Sequence, residues 1–115
     1  MKTLIIYEGS VITELPNLYK NDFGQVLEFH IINEDTSAVD LTDYSITMKV
    51  INIIDNSILF SKACTVTSVT SGYCAYTFAD GDLSDSGSFR CELELSKSSV
   101  KETINLGYLN LLEDL

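Results

Sequence analysis

The chain is 115 residues long, 45% apolar and 21% charged, which is the ordinary composition of one globular domain. At this length folding buries about two-thirds of the extended surface, so a core forms without disulfide or metal staples. Seven basic residues against seventeen acidic ones leave a formal charge of -10, which excludes a nucleic-acid binder with a counterion-displacing basic face.

Lys2 is followed by a short apolar stretch, Leu4-Ile5-Ile6-Tyr7, before Glu8 and Gly9. A secretory signal needs a longer apolar run, and no window approaches the ~20 apolar residues of a membrane-spanning helix. Cys64, Cys74 and Cys91 lack metal-ligand spacing. Together these features predict reduced thiols and synthesis in a cytoplasm. Thr3 to Tyr7 predicts a short strand. Val11 to Leu15 predicts a second, stopped by Pro16.

From there the pattern has period two, the mark of half-buried strands. Leu27-Glu28-Phe29-His30-Ile31 alternates apolar and polar, as does Ile46-Thr47-Met48-Lys49-Val50. Ile58-Leu59-Phe60 and Val66 to Val69 predict shorter strands. Cys74, Tyr76 and Phe78 mark another inward face. Phe89-Arg90-Cys91-Glu92-Leu93-Glu94-Leu95 is the most regular run. Val100 to Leu106 and Tyr108 to Leu112 predict one terminal strand broken or bulged at Gly107. Turn residues separate these runs: Asn33 to Ser37, Asp55-Asn56-Ser57, Ser71-Gly72, and a longer connection opening with Asp80-Gly81-Asp82. Strands recurring about every 10 residues, with no helical period, predict an all-β antiparallel sandwich of seven to eight strands.

The chemical inventory is thin. His30 is the only histidine, on an outward strand position, which excludes paired-histidine catalysis and a histidine-based metal site. The glycines are scattered singly, with no phosphate-binding loop. Cys74 and Cys91 fall on inward positions and are expected to be core thiols rather than nucleophiles. Asp80-Gly81-Asp82-Leu83-Ser84-Asp85 has oxygens at alternate positions, as calcium loops do. Asp85 stands where such a loop needs glycine, and Cys91 where it needs glutamate. The segment is therefore expected to be a solvated acidic connection. No enzyme activity, cofactor or metal is expected.

Asp85-Ser86-Gly87-Ser88-Phe89-Arg90-Cys91 resembles the strand-F signature of immunoglobulin domains. The chain has no tryptophan, and its second main strand carries Leu27, Phe29 and Ile31 in place of a partner cysteine. The Ig-like sandwich geometry is therefore expected, without an antibody-type domain.

Four segments in order carry a more specific resemblance: Asn21-Asp22-Phe23-Gly24-Gln25-Val26-Leu27-Glu28-Phe29; Ala38-Val39-Asp40-Leu41-Thr42; Ser71-Gly72-Tyr73-Cys74-Ala75-Tyr76-Thr77-Phe78; and Ser86-Gly87-Ser88-Phe89-Arg90-Cys91-Glu92-Leu93-Glu94. The set resembles the N-terminal domain of the phage baseplate upper protein family. Residue chemistry accounts for each piece. Val39 and Leu41 anchor the chain on the core while Asp40 and Thr42 make local bonds. Gly72 supplies a positive-φ turn position, and Gly87 lets the next strand begin at close quarters.

The resemblance covers about residues 20–112; length and the lack of an internal repeat predict a single domain over 1–115, with a strand or arm at 1–19 and a tail at 113–115. The resemblance implies a non-enzymatic part of a tailed-phage virion, assembled in a bacterial cytoplasm. The role implied is a tail, baseplate or neck connector, present in many copies and touching tail, baseplate, portal, neck or capsid subunits, with no nucleic acid or membrane as partner. A capsid decoration or head-fibre base protein is one alternative. A carbohydrate- or receptor-binding module, with Tyr44 and Tyr73 as its aromatic candidates, is another. Partner contacts are expected at the two ends, where apolar residues are in surplus: Leu4 and Ile6 at one, Tyr108, Leu109, Leu112 and Leu115 at the other.

Overall fold

The computed structural model describes residues 2–7, 10–11, 15, 17–33, 35 and 37–113, and for 2–7 and 10–11 the backbone alone. The described residues form ten strands: β1 Lys2–Tyr7, β2 Ser10–Val11, β3 Leu18–Tyr19, β4 Val26–Ile32, β5 Ser45–Asn52, β6 Ile58–Ala63, β7 Thr65–Ser68, β8 Tyr73–Thr77, β9 Gly87–Lys97 and β10 Val100–Leu112. Eight are of ordinary length, and β2 and β3 are two residues each. They build two five-stranded sheets, ordered β2-β1-β4-β8-β7 and β3-β10-β9-β5-β6. The expected all-β sandwich is present, with the strand order of Ig-like domains. One departure is that β1 runs parallel to β4, pairing Lys2 with Leu27 through Tyr7 with Ile32.

The alternation seen in the sequence is what divides inside from outside. In β9, Phe89, Cys91, Leu93 and Leu95 are buried, while Arg90, Glu92 and Glu94 between them are half-exposed. They meet Ile46, Met48 and Val50 of β5 and Leu27, Phe29 and Ile31 of β4 in one core. Fully burying an aliphatic or aromatic side chain contributes about 1.5–3 kcal/mol, so these two-residue repeats carry the fold.

β10 has the interruption that its sequence predicts. Asn105 pairs with Glu92 and Gly107 with Cys91, so Leu106 is the extra residue of a bulge. Gly107 has φ +94°, and its N–H donates to Asn105 Oδ1 at 2.9 Å. The bulge reverses the strand's phase. Ile104 and Leu106 point inward before it, Leu109 and Leu111 after it. This corrects the expectation for Leu109, which is fully buried in the core and presents no surface to a partner.

Of the strand expected at Val11 to Leu15, Val11 lies in β2, and residues 12–14 lie outside the described set. Beyond Pro16, the two-residue β3 pairs parallel with the end of β10, Leu18 with Leu111 and Tyr19 with Leu112. Two residues are too few to show a period in the sequence.

The segment 38–42 behaves as its residues predict. Leu41 is buried, Val39 packs on the core, and Asp40 Oδ1 accepts from the Thr42 N–H at 2.9 Å and from the Thr42 hydroxyl at 2.6 Å. The segment is stitched to the rest of its sheet by Val39 N–H to Ile31 O (3.0 Å) and Leu41 N–H to Val69 O (2.9 Å). Gly72 lies against that seam. It has φ +74°, its carbonyl accepts from the Ile31 N–H at 2.8 Å, and a Cβ there would stand 2.5 Å from Ile31 O.

Gly72→Ala should therefore destabilise the domain by about 3 kcal/mol or more, through left-handed strain together with a backbone clash. Gly81→Ala, at φ +93° with nothing within 4 Å of the new Cβ, should cost only the strain, about 1–2 kcal/mol. Urea unfolding of the two variants measures the difference.

Candidate functional site

Two features rise above the sandwich itself: a buried carboxylate between the sheets and an apolar surface on one of them. The first is in the connection from β8 to β9, which carries the chain from one sheet to the other. Asp82 is 2% exposed, so the connection is not solvated throughout as its acidic sequence predicts. Its carboxylate accepts from Lys62 Nζ of β6 at 2.5 Å, from the hydroxyl of Tyr76 on β8, and from the Ala79 N–H at 2.8 Å. Each partner comes from a different element, and β6 and β8 belong to different sheets. The Tyr76 ring stacks on Phe60 at 5.5 Å and meets Phe78 edge-on at 5.3 Å. Next to Asp82, Leu83 is fully buried and its carbonyl accepts from the Asn21 N–H at 2.7 Å.

Burial by itself pushes the Asp82 carboxyl up. The bonds from Lys62, Tyr76 and Ala79, with the Lys62 charge, outweigh burial and hold it below the ordinary carboxylate value. Burial, and then the bond to Asp82, push the Tyr76 hydroxyl up. Asp82 thus serves as a structural tie between sheets, with its oxygens committed. Among the described residues, no group of three or more His, Cys, Asp or Glu is arranged to hold a metal.

The second feature is the outer face of the β10-containing sheet. After the bulge, Tyr108, Asn110 and Leu112 point outward. Tyr19 is the register partner of Leu112 and shares its face. Tyr108 is 65% exposed, Tyr19 47% and Leu112 40%. Of the expected contact residues, the structure therefore brings Tyr108 and Leu112 to one surface and removes Leu109 to the core. Leu4 and Ile6 belong to β1, opposite Phe29 and Ile31, and their side chains lie outside the described residues, as does Leu115. Sequence reasoning missed Tyr19 and the 59%-exposed Phe23. The signal available was an aromatic pair flanking Lys20-Asn21-Asp22, a polar turn with Asn21 at φ 71°.

The remaining candidates are also placed. His30 is half-buried on the outward face of β4 and stacks on Tyr73, with ring centroids 4.1 Å apart. Tyr44 is half-buried and lies beneath Lys97, whose Nζ is 4.6 Å from the ring centroid. Cys74 and Cys91 are buried and all three cysteines are free. Burial pushes each thiol up to about 12, so the nucleophilic thiolate is scarce at neutral pH.

The sequence matches the BppU N-terminal domain over residues 10–110. The chain belongs to this family, that of phage baseplate upper proteins. Membership makes it a structural component of a bacteriophage tail or baseplate and part of the virion. The N-terminal domain of phage TP901-1 ORF48 has a similar fold. Its TM-score is 0.62 at 9% identity, over 100% of both chains. No curated protein sequence matches the chain.

Two outcomes test the site. Asp82→Asn should cost about 1–3 kcal/mol, a range held low because Lys62 is half-exposed and is rehydrated when the pair is lost. Because the folded-state carboxyl is depressed, the stabilisation from Asp82 is full above the unfolded value of about 3.9. It is lost as pH falls through the folded value, so Asp82→Asn should flatten the acid limb of stability below about pH 4. Asp35, Asp40 and Asp55, also lowered by bonds from Ser37, Thr42 and Ser57 respectively, leave part of that limb in place. Separately, a thiol reagent at pH 7 should leave Cys74 and Cys91 unlabelled in the native protein and label both after denaturation. Rapid native labelling of both would contradict the inward phase of β8 and β9.

Proposed function

We propose that this baseplate-family domain is a connector, a rigid non-enzymatic sandwich that joins neighbouring tail, baseplate or neck subunits by protein–protein contact. Family membership over residues 10–110 supports the setting. The observation that carries the connector role is the apolar outer face made by Tyr19, Tyr108 and Leu112, on a domain whose core is already filled from within. Exposed apolar groups that share one face mark an interaction surface more than scattered ones do. Leu4, Ile6 and Leu115 are proposed as further contacts at the two chain ends. The domain works in many copies per particle, incorporated during assembly in the host cytoplasm.

The test is assembly. Protein mass spectrometry and immunogold labelling of purified particles should find the chain at the tail end, in multiple copies. The double variant Tyr108→Asp with Leu112→Asp changes only exposed side chains. It should fold with an unchanged melting temperature and enter particles at least tenfold less. Normal occupancy by a folded double variant would rule out this face as the connecting surface.

A further inference from the structure

The hairpin between β5 and β6 has a construction that the sandwich does not require. Its turn is fixed by the Asn52 N–H to Ser57 O at 2.8 Å, the Asn56 N–H to Asn52 O at 2.9 Å, and the Ile54 N–H to Asn52 Oδ1 at 2.8 Å. Asp55 Oδ1 adds bonds from the Ser57 N–H at 2.9 Å and hydroxyl at 2.7 Å, and Asn56 takes the left-handed conformation at φ 61°. Turn tips held this firmly are ordinarily polar. This one presents Ile53 at 44%, Ile54 at 90% and Ile58 at 57% exposure. Among the described residues, the large apolar side chain most exposed to water is thus an isoleucine, on a backbone already ordered, so a contact made through it loses little further conformational entropy.

The strand register shows what surrounds the tip. Asn52 lies opposite Phe89, Phe89 opposite Leu109, and Gly87 opposite Leu111. The tip therefore stands at the end of the sheet where β9 begins and β10 finishes. Asp85 lies just before β9, and Glu113 follows β10, accepting a hydrogen bond from Ser86 at 2.6 Å. Asp55 is in the tip itself, and its bonds to Ser57 keep it below the usual carboxylate range and ionised at neutral pH. Apolar side chains on a tip that carries Asp55, at the same sheet end as Asp85 and Glu113, on a chain of charge -10 select against a second copy, whose identical tip would bring acid to acid.

We propose that the 53–58 tip is a second docking element, a preformed apolar knob that seats in an apolar pocket rimmed by lysine or arginine on a different protein of the particle. The proposal rests on the baseplate reading and adds to it a site remote in sequence from both chain ends. Ile54 is the anchor and Asp55 the charge that faces the basic rim.

The experiment uses the full chain expressed in trans during phage assembly. Ile54→Asp and Asp55→Lys should each lower incorporation into purified particles at least tenfold; Ile54→Asp should leave the melting temperature unchanged because its side chain is exposed, and Asp55→Lys should lower it only slightly, through the lost bonds from Ser57. Wild-type protein should sediment as a monomer. Incorporation of Ile54→Asp at the wild-type level would overturn the knob while leaving the connector role standing. Loss with Ile54→Asp but not with Asp55→Lys would overturn the basic-rimmed partner. A wild-type dimer abolished by Ile54→Asp would overturn it in favour of a second copy. Absence of wild-type protein from particles would instead remove the baseplate reading, and this proposal with it.

Discussion

The phase of β9 is the constraint on which the rest of the molecule depends. It is the middle strand of its sheet, with β5 on one side and β10 on the other. Its inward set of Phe89, Cys91, Leu93 and Leu95 sits at 0–2% exposure. A slip of one residue would exchange that set for Arg90, Glu92 and Glu94, placing charges in the core at a cost no domain of this size tolerates. Both neighbours are registered against it, so both inherit its inside and outside. The outward positions of β9 then become useful. Glu94 pairs with Lys49 at 3.5 Å on one side and with Lys101 at 3.6 Å on the other. Such exposed pairs add little energy, but they agree with the register that the core imposes.

A sandwich also has to hold its two sheets in relation to each other. Here the apolar core is supplemented by Asp82, which collects Lys62 from one sheet and Tyr76 from the other. The energetic asymmetry of buried polar groups explains why the arrangement is complete. A carboxylate at this depth with one partner would be destabilising, whereas one with three donors is satisfied. Placing the tie in the β8–β9 connection fixes the start of β9 and hence its phase. Local hydrogen bonding and global packing therefore specify the same structure.

How far the sequence discloses this differs by element. β4, β5, β8 and β9 were legible because strict alternation of apolar and polar residues over five or more positions is the signature of a strand with one face on a core. The bulge in β10 was legible from Gly107 between two strand-like apolar runs. The burial of Leu109 was not, because parity after a bulge depends on which residue is inserted. Asp82 was hidden for a different reason. It lies among Asp80, Asp85 and Ser84, which are exposed, and nothing in local composition separates the one that turns inward from those that do not. The separating fact is long-range: Lys62 is twenty residues away. The outer surface was half legible. Tyr108 and Leu112 stood out as surplus apolar residues, but Tyr19 joins them only through the parallel pairing of β3 with β10.

Charge and apolar surface act together in a domain built for assembly. At -10, copies repel one another over distances near the Debye length, about 8 Å at physiological ionic strength. That repulsion is weak against buried apolar contact but strong enough to disfavour loose self-association, the hazard that exposed Tyr and Ile side chains otherwise bring. The same charge becomes favourable when a neighbour is basic, because steering and docking then act in one direction. The charge that keeps free copies apart is thus the same one that would favour the basic neighbour proposed above. The rigidity of the sandwich matters for the same reason. With the outer face of the β10 sheet set by the bulge at Gly107 and the β5–β6 tip set by its own hydrogen bonds, the two surfaces keep a fixed relation through the shared register of β9. The contacts proposed at these two surfaces would then form without a further ordering cost.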